Sequence, residues 1–467
     1  MKDGLSAKVK ISENMKRRDF LKLGGLGAAM SLAPSELSAV TKSGVVQEPA
    51  RDVPIAGAAD VVVCGAGPAG VAAAVSAARK GAKTRLIELH GCLGGIWTAG
   101  LLSWILDYKN KSGLMAEIWQ RIEKRGSRAF TKSGKATNAY DPEVMKFVLE
   151  EMCAEAKVEI QLHTHVCAAI SNAEKRLTHV ITESKSGREA FAGKVFVDCT
   201  GDGDLAAQAG CGFDMGHPET GNTQPFSLMA LISGVTPEGI EGFFRDDDSK
   251  DWAGPKDRLR AEMEKGGHSP SYAKPTIFRL RDDLFALMAN HEYYMKGTNA
   301  RDVTAATLRA RKELHALIDG LRSLGGGWKN VHIVATGEQI GVREGRRIHG
   351  LHTVSTDDVR EGRAQKDAVC RTTFGIDVHS TDPKKEKGIE KTGIRAKPYD
   401  IPLRALIAKD VKGLMMAGRC ISGDFIAHSS YRVTGNSVAM GEAAGKTAAV
   451  AAKSGRSPSV VDISEIS

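Results

Sequence analysis

Three glycines, Gly65, Gly67 and Gly70, stand in G-x-G-x-x-G spacing between an apolar run, Asp60-Val-Val-Val-Cys64, and an alanine-rich stretch from Val71 to Lys80. That order predicts a buried strand, a sharp turn and a helix, and the next apolar run, Lys83 to Ile87, ends in the acid Glu88. The chemistry such a constellation performs is recognition of a dinucleotide. Gly65 permits the turn, Gly67 lets backbone N–H groups approach a pyrophosphate, and Gly70 lets the helix sit close to the strand. The helix then points its positive end at the phosphates. Glu88, about twenty residues on, is placed to accept hydrogen bonds from the adenosine ribose.

The motif alone does not choose between NAD and FAD. The segment that follows, Glu88-Leu-His-Gly-Cys92-Leu-Gly94-Gly95-Ile-Trp-Thr98, resembles the second glycine turn that flavoproteins place against FAD. Farther on, Val158–Val166, Leu177–Ser184 and Ala190–Val197 alternate apolar and polar residues, predicting a small antiparallel meander. It leads into Asp198-Cys-Thr-Gly201-Asp202-Gly-Asp204. In flavoproteins of the glutathione-reductase type a strand like Leu162–Val166 serves adenine, and a TGDGD-like turn approaches FAD. That resemblance adds Val166, Gly201 and Asp202 to the cofactor residues; the alternative for Asp202 and Asp204 is metal ligation. A third segment holds Ala417-Gly418-Arg419-Cys420 and, after Thr434, a helix whose N-terminus at Gly435, Asn436 and Ser437 would aim donors at the flavin pyrimidine.

With GVREGRRIHG at 341–350 and YDIPLRAL at 399–406, these segments resemble, in order and over nearly the whole chain after residue 57, the bacterial FAD-dependent oxidoreductases. The chain departs from better-known flavoproteins at Arg419, where they often carry Asp or Glu to hold the ribityl chain. The resemblance implies FAD as cofactor and hydride transfer between a small polar metabolite and the flavin. It also puts His428 and Arg432 beside the flavin ring as catalytic candidates, His to exchange a proton and Arg to hold a carboxylate. Equally open is a structural role, with Arg432 paired to Asp424 or Glu442 and His428 packed. Arg346 and Arg347 are further candidates. There is no CxxCH haem motif, so electrons would pass to an external acceptor. An NAD-linked enzyme and a non-catalytic flavin- or sugar-binding protein are the alternative readings.

The elements that must position these residues fit a chain of 467 residues with 42% hydrophobic and 26% charged residues, within the range of folded globular proteins. We expect an α/β protein: a Rossmann-like FAD-binding domain with a parallel sheet and antiparallel meander, carrying an inserted α+β substrate or cap domain. Cofactor motifs at both ends make the FAD domain discontinuous, at 57–107, 140–216, 328–355 and 395–460. The cap takes 108–139, 217–327 and 356–394, with helices near Val303–Leu324. Of the net charge of +9, residues 1–40 carry +3, and no basic run interleaved with aromatics remains to suggest nucleic acid. The eight cysteines show neither CxxC nor zinc spacing, and His163-x-His165 and His349-x-x-His352 lack carboxylate or thiolate company, so no metal is expected. Residues 1–45 read as a leader and linker. Arg17-Arg18-Asp-Phe20-Leu21-Lys22, followed by a short glycine-rich apolar stretch, resembles the twin-arginine export signal, implying periplasmic or other export through that machinery.

Overall fold

The computed structural model describes residues 45–131, 133–244 and 251–466. The arginine pair and its apolar stretch lie outside them. No helix among the described residues is long and apolar enough to cross a membrane.

The run that opens the glycine motif forms β1 (Ile55–Cys64), whose last four residues are fully buried in the core. It lies between β2 (Thr84–Ile87) and the later β6 (Gly187–Asp198), parallel to both. Between these come β3 (Glu159–Gln161), parallel to β2, and the antiparallel pair β4 (His165–Ser171) and β5 (Leu177–Ser184). The sheet order is β3-β2-β1-β6-β5-β4, and a seventh strand, Leu414–Met416, lies parallel to the end of β6. The meander is thus β4-β5-β6, sharing its last strand with the parallel sheet. The run Val158–Val166 divides between β3 and β4, because the chain turns at His163 with φ +52°.

Helix α1 (Pro68–Arg79), begun by Pro68 at its first position, packs along one face with α2 (Gly113–Lys124) and α3 (Pro142–Glu155) nearby. Leu114, Met115, Ile118, Trp119 and Ile122 of α2 recur at helical spacing and enter the same core. The segment 108–139, expected in a cap, thus divides: α2 packs with the first sheet, whereas Ala129 and Ala139 pack against the strands of a second sheet. Segment 356–394 divides likewise, since Val359 and Cys370 join the first sheet's core.

A second, four-stranded antiparallel sheet holds β7 (Met229–Ser233), β8 (Thr276–Arg281), β9 (Leu284–Met288) and β10 (His332–Thr336), in the order β8-β9-β7-β10. Strand β10 falls within 328–355, expected in the FAD domain, but it pairs with β7; a short strand carries nothing in its own residues that names its partner. Helix α4 (Ala300–Ser323), capped by the Asn299 side chain, buries Ala306, Ala310, Leu314, Leu317, Ile318 and Leu321 in this sheet's core. From Val53 onward both sheets form one compact unit, so the expected inserted domain is a second sheet within it.

Two α-helices follow, α5 (Phe425–Tyr431) and α6 (Thr434–Ser454). A Cβ on Gly441 would lie 2.1 Å from the Ala69 carbonyl oxygen, and one on Gly445 the same distance from that of Ala73. The small-residue face of α6 therefore exists for contact with α1.

Candidate active site

The two glycine turns meet backbone to backbone. The Gly94 N–H donates to the Ala66 carbonyl at 2.7 Å, and a Cβ on Gly95 would lie 3.0 Å from the Cα of Gly67. Gly65, with φ +91°, has no room for a side chain against the Cys199 carbonyl, and a Cβ on Gly70 would lie 1.8 Å from the Gly65 oxygen. Gly67 differs: a Cβ there meets nothing within 4 Å. It borders a cavity of 1120 Å³ that runs from the first sheet to the second. Typical pockets for one small ligand span roughly 300–1,000 Å³, so this space suits a dinucleotide together with a second molecule. Gly65, Gly67, Gly95, Gly201 and Gly418 all border it, as do Glu88 and Val166 toward one end. Bare backbone around a helix N-terminus, with one glycine opening onto empty space, fits the diphosphate of FAD.

The Glu88 carboxylate is engaged locally as well. It accepts the Ala66 N–H at 2.5 Å and the His90 N–H at 2.8 Å, so it holds the glycine turn in shape at the cavity edge. Cys92 does not border the cavity; its thiol contacts the Thr98 hydroxyl at 3.6 Å.

Pairing of Leu414–Met416 with β6 brings the turns that follow each strand side by side. Arg419 donates to Asp202 at 2.8 Å, and Arg346 donates to Asp204 at 2.8 Å. A Cβ on Gly201 would lie 2.8 Å from the Arg419 guanidinium carbon, so that glycine makes room for the pair. Each aspartate thus has an arginine partner, and among the described residues no group of three or more His, Cys, Asp and Glu could hold a metal.

At the start of α6 the placement differs from expectation. The Gly435 N–H donates to the Leu106 carbonyl at 3.1 Å, and Asn436 is fully buried against Cys370. Neither borders the cavity, whereas Val433, Thr434 and Ser437 do. One face of the first turn packs on the Leu106–Asp107 backbone, which leaves the other to the ligand space.

The structure also separates the two catalytic candidates. His428 is fully buried on α5, does not border the cavity, and its ring nitrogens have no hydrogen-bond partner among the described residues. Burial, reinforced by Arg347, Arg432 and Arg419, pushes its pKa well below the usual imidazole range. The ring thus packs in the core, whereas the expectation had it beside the flavin at the cavity. Arg432 does border the cavity. Its partner is neither Asp424, which caps α5, nor Glu442, which accepts the Leu114 N–H. It donates instead to the Asp377 carbonyl at 2.7 Å, the Asp377 carboxylate at 3.2 Å and the Gln224 side chain at 3.3 Å. Arg346 borders the cavity, whereas Arg347 is buried against Glu344.

Around Arg432 the fold gathers residues that sequence reasoning missed. Asp377 lies 3.4 Å from His379 Nε2; both border the cavity, with Tyr272 and Arg343. Burial opposes the charge on Asp377, but His379 and Arg432 outweigh it and hold the carboxyl well below its ordinary range. Burial, with the nearby Arg343 charge, brings His379 down to about 4. Arg343 donates to the Pro225 carbonyl at 2.6 Å and the Ser227 hydroxyl at 3.0 Å, and has no carboxylate within 4.0 Å among the described residues. Burial and then the Arg432 charge lower it to about 10, so it stays cationic at neutral pH. Arg343 lies inside the 341–350 segment, but that run does not name its partners, and Asp377 lies in none of the quoted segments.

The model of a family described as FAD dependent oxidoreductase matches residues 60–467. No curated protein matches significantly. Similar solved structures include a flavin-dependent brominase, Bmp2, at 14% identity and TM-score 0.46, covering 86% of this chain and 81% of that one. A geranylgeranyl bacteriochlorophyll reductase-like protein from Thermoplasma acidophilum is similar at 14% identity and TM-score 0.43, with coverage of 85% and 79%. p-Nitrophenol 4-monooxygenase PnpA from Pseudomonas putida is similar at 13% identity and TM-score 0.38, with coverage of 63% and 70%. The family match spans the whole glycine cradle and the cavity wall, and by it this chain belongs to the FAD dependent oxidoreductases and is an FAD-dependent enzyme.

Proposed function

We propose that the enzyme is a dehydrogenase that moves hydride between FAD and a small polar metabolite bearing a carboxylate. The observation that carries this reading is Arg343: a half-buried cation at the cavity wall with no carboxylate within 4.0 Å among the described residues, while the nearby Asp377 is already shared by Arg432 and His379. A half-buried cation without a paired acid favours an anionic ligand, because the ligand then supplies the missing partner charge. FAD, when bound, supplies the hydride acceptor or donor. The residues that would hold it are the glycines of the two turns, Val166, Ser437 and the Arg419–Asp202 pair. Arg343 and Arg432 orient the substrate, and the Asp377–His379 pair takes or returns the proton that must leave with oxidation of an alcohol or amine.

Anaerobic mixing of the FAD-loaded protein with hydroxy and amino acids, alongside their amides, tests this. Carboxylates should bleach the flavin, the matching amides should do so at least about tenfold less, and Arg343→Gln should abolish the difference. Equal bleaching by acid and amide sinks the carboxylate assignment. Reduction by nicotinamide dinucleotides alone sinks the dehydrogenase.

Export by the twin-arginine route belongs to the same reading, supported by Arg17-Arg18 and by a cofactor that is loaded before passage. Electrons then pass to an external acceptor. Replacing both arginines by lysine keeps the charge but not the guanidinium geometry, and should hold the protein in the cytoplasm; equal periplasmic amounts of variant and parent would refute it.

A further inference from the structure

Behind the cavity wall, Asp377 and His379 continue into a line of hydrogen-bonding groups that leads away from the cavity. His379 Nδ1 lies 3.1 Å from His291 Nε2, and His291 Nδ1 lies 3.1 Å from the Tyr293 hydroxyl. Both histidines are buried, at 5% and 3% exposure, and neither His291 nor Tyr293 borders the cavity. Tyr293 is half-buried, and its neighbour Tyr294 is exposed. The ring of Tyr272 lies 4.2 Å from that of His291 and fixes its plane, while the Gln224 side chain accepts the His379 backbone N–H at 3.0 Å.

We propose that His291 and Tyr293 form a proton wire joining the Asp377–His379 pair to solvent. Donor and acceptor rules give it one consistent resting polarity. The ionised Asp377 only accepts, so His379 donates from Nε2 and accepts at Nδ1. His291 then donates from Nε2 and accepts at Nδ1, where the Tyr293 hydroxyl donates. One shift along this line moves the His379 Nε2 proton to Asp377, the His291 Nε2 proton to His379 Nδ1, and the Tyr293 proton to His291 Nδ1. The tyrosine oxygen takes a proton from water, so the net transfer is one proton from solvent to the Asp377 carboxylate. No electrons move, and the reverse sequence carries a substrate proton outward. Both rings stay neutral throughout, in keeping with the depressed basicity that burial gives them.

The inference rests on the assignment of Asp377 and His379 to the active site, but its test needs no substrate. In FAD-loaded protein labelled with nitrogen-15 at histidine, magnetic resonance should show both rings as Nε2–H tautomers. Saturation transfer from water then reads the exchange of the His379 ring proton. Cutting the wire by Tyr293→Phe, which keeps the aromatic ring, should slow that exchange at least about tenfold, and His291→Phe should do so independently. Exchange that is unchanged or faster in Tyr293→Phe, or Nδ1–H tautomers in the parent, overturns the wire. Slowed exchange in a protein that no metabolite bleaches would leave the wire standing and remove the dehydrogenase reading.

Discussion

Single residues divide here into those whose role is written in local spacing and those whose role depends on neighbours far along the chain. The glycine cradle is of the first kind. Gly65, Gly67 and Gly70 were legible because each has a local steric reason, and the structure separates those reasons. A Cβ at Gly70 collides with the Gly65 oxygen, whereas one at Gly67 enters the cavity. Gly70→Ala should therefore destabilise the fold by about 1–3 kcal/mol, through overpacking between helix and turn. Gly67→Val should leave the unfolding midpoint of the apoprotein near that of the parent while losing FAD. Calorimetry and flavin absorbance on the two purified variants check both, and full flavin content in Gly67→Val would contradict the placement of the diphosphate. His428 is of the second kind. Its sequence position, between the AGR turn and the last helix, says nothing of which side of α5 meets the cavity, and the ring turns into the core instead.

At the scale of elements, the end of β6 shows how a strand and its turn are locked together. Asp198 is fully buried there and accepts from the Thr200 N–H at 3.0 Å, the Thr200 hydroxyl at 2.7 Å and the Ala206 N–H at 2.8 Å. These bonds fasten the turn that carries Gly201 and Asp202. Burial nevertheless prevails and raises the Asp198 pKa to about 6. With an unfolded value near 3.9, the folded state holds this proton longer, so stability is full below about pH 4 and is lost as pH rises through 6. The loss from this group is of order 3 kcal/mol. His379, depressed to about 4, acts in the opposite sense across the same window, but it is common to parent and variant and cancels in their difference. Urea unfolding at pH 4 and pH 6.5 should show that Asp198→Asn lacks this loss; parallel pH profiles would contradict it. The strand, turn and helix of this region were readable from alternation and from the Gly/Asp run. The division of Val158–Val166 between two strands was not, because a single positive φ at His163 sends alternating residues to a new partner.

Across the whole molecule, the cofactor half was legible because its motifs are contiguous, and the substrate half was not because its residues are scattered. Gln224, Tyr272, Arg343, Asp377, His379 and Arg432 converge only once the second sheet has closed over the first. Nothing in the residues around His379 marks it as a cavity residue, whereas His349, in the spaced pair with His352, sits partly exposed against Asp214. Long-range strand pairing decides such cases, and one sequence does not display it. The cavity between the sheets is therefore where the chemistry is tested. Rapid anaerobic mixing of a carboxylate that bleaches the flavin with FAD-matched parent, His379→Asn and His428→Asn protein is the most direct measurement. His379→Asn should bleach at least about a hundredfold more slowly while His428→Asn keeps the parent rate. Parent-like bleaching in His379→Asn, or a loss confined to His428→Asn, would contradict a reaction centred on the Asp377–His379 wall.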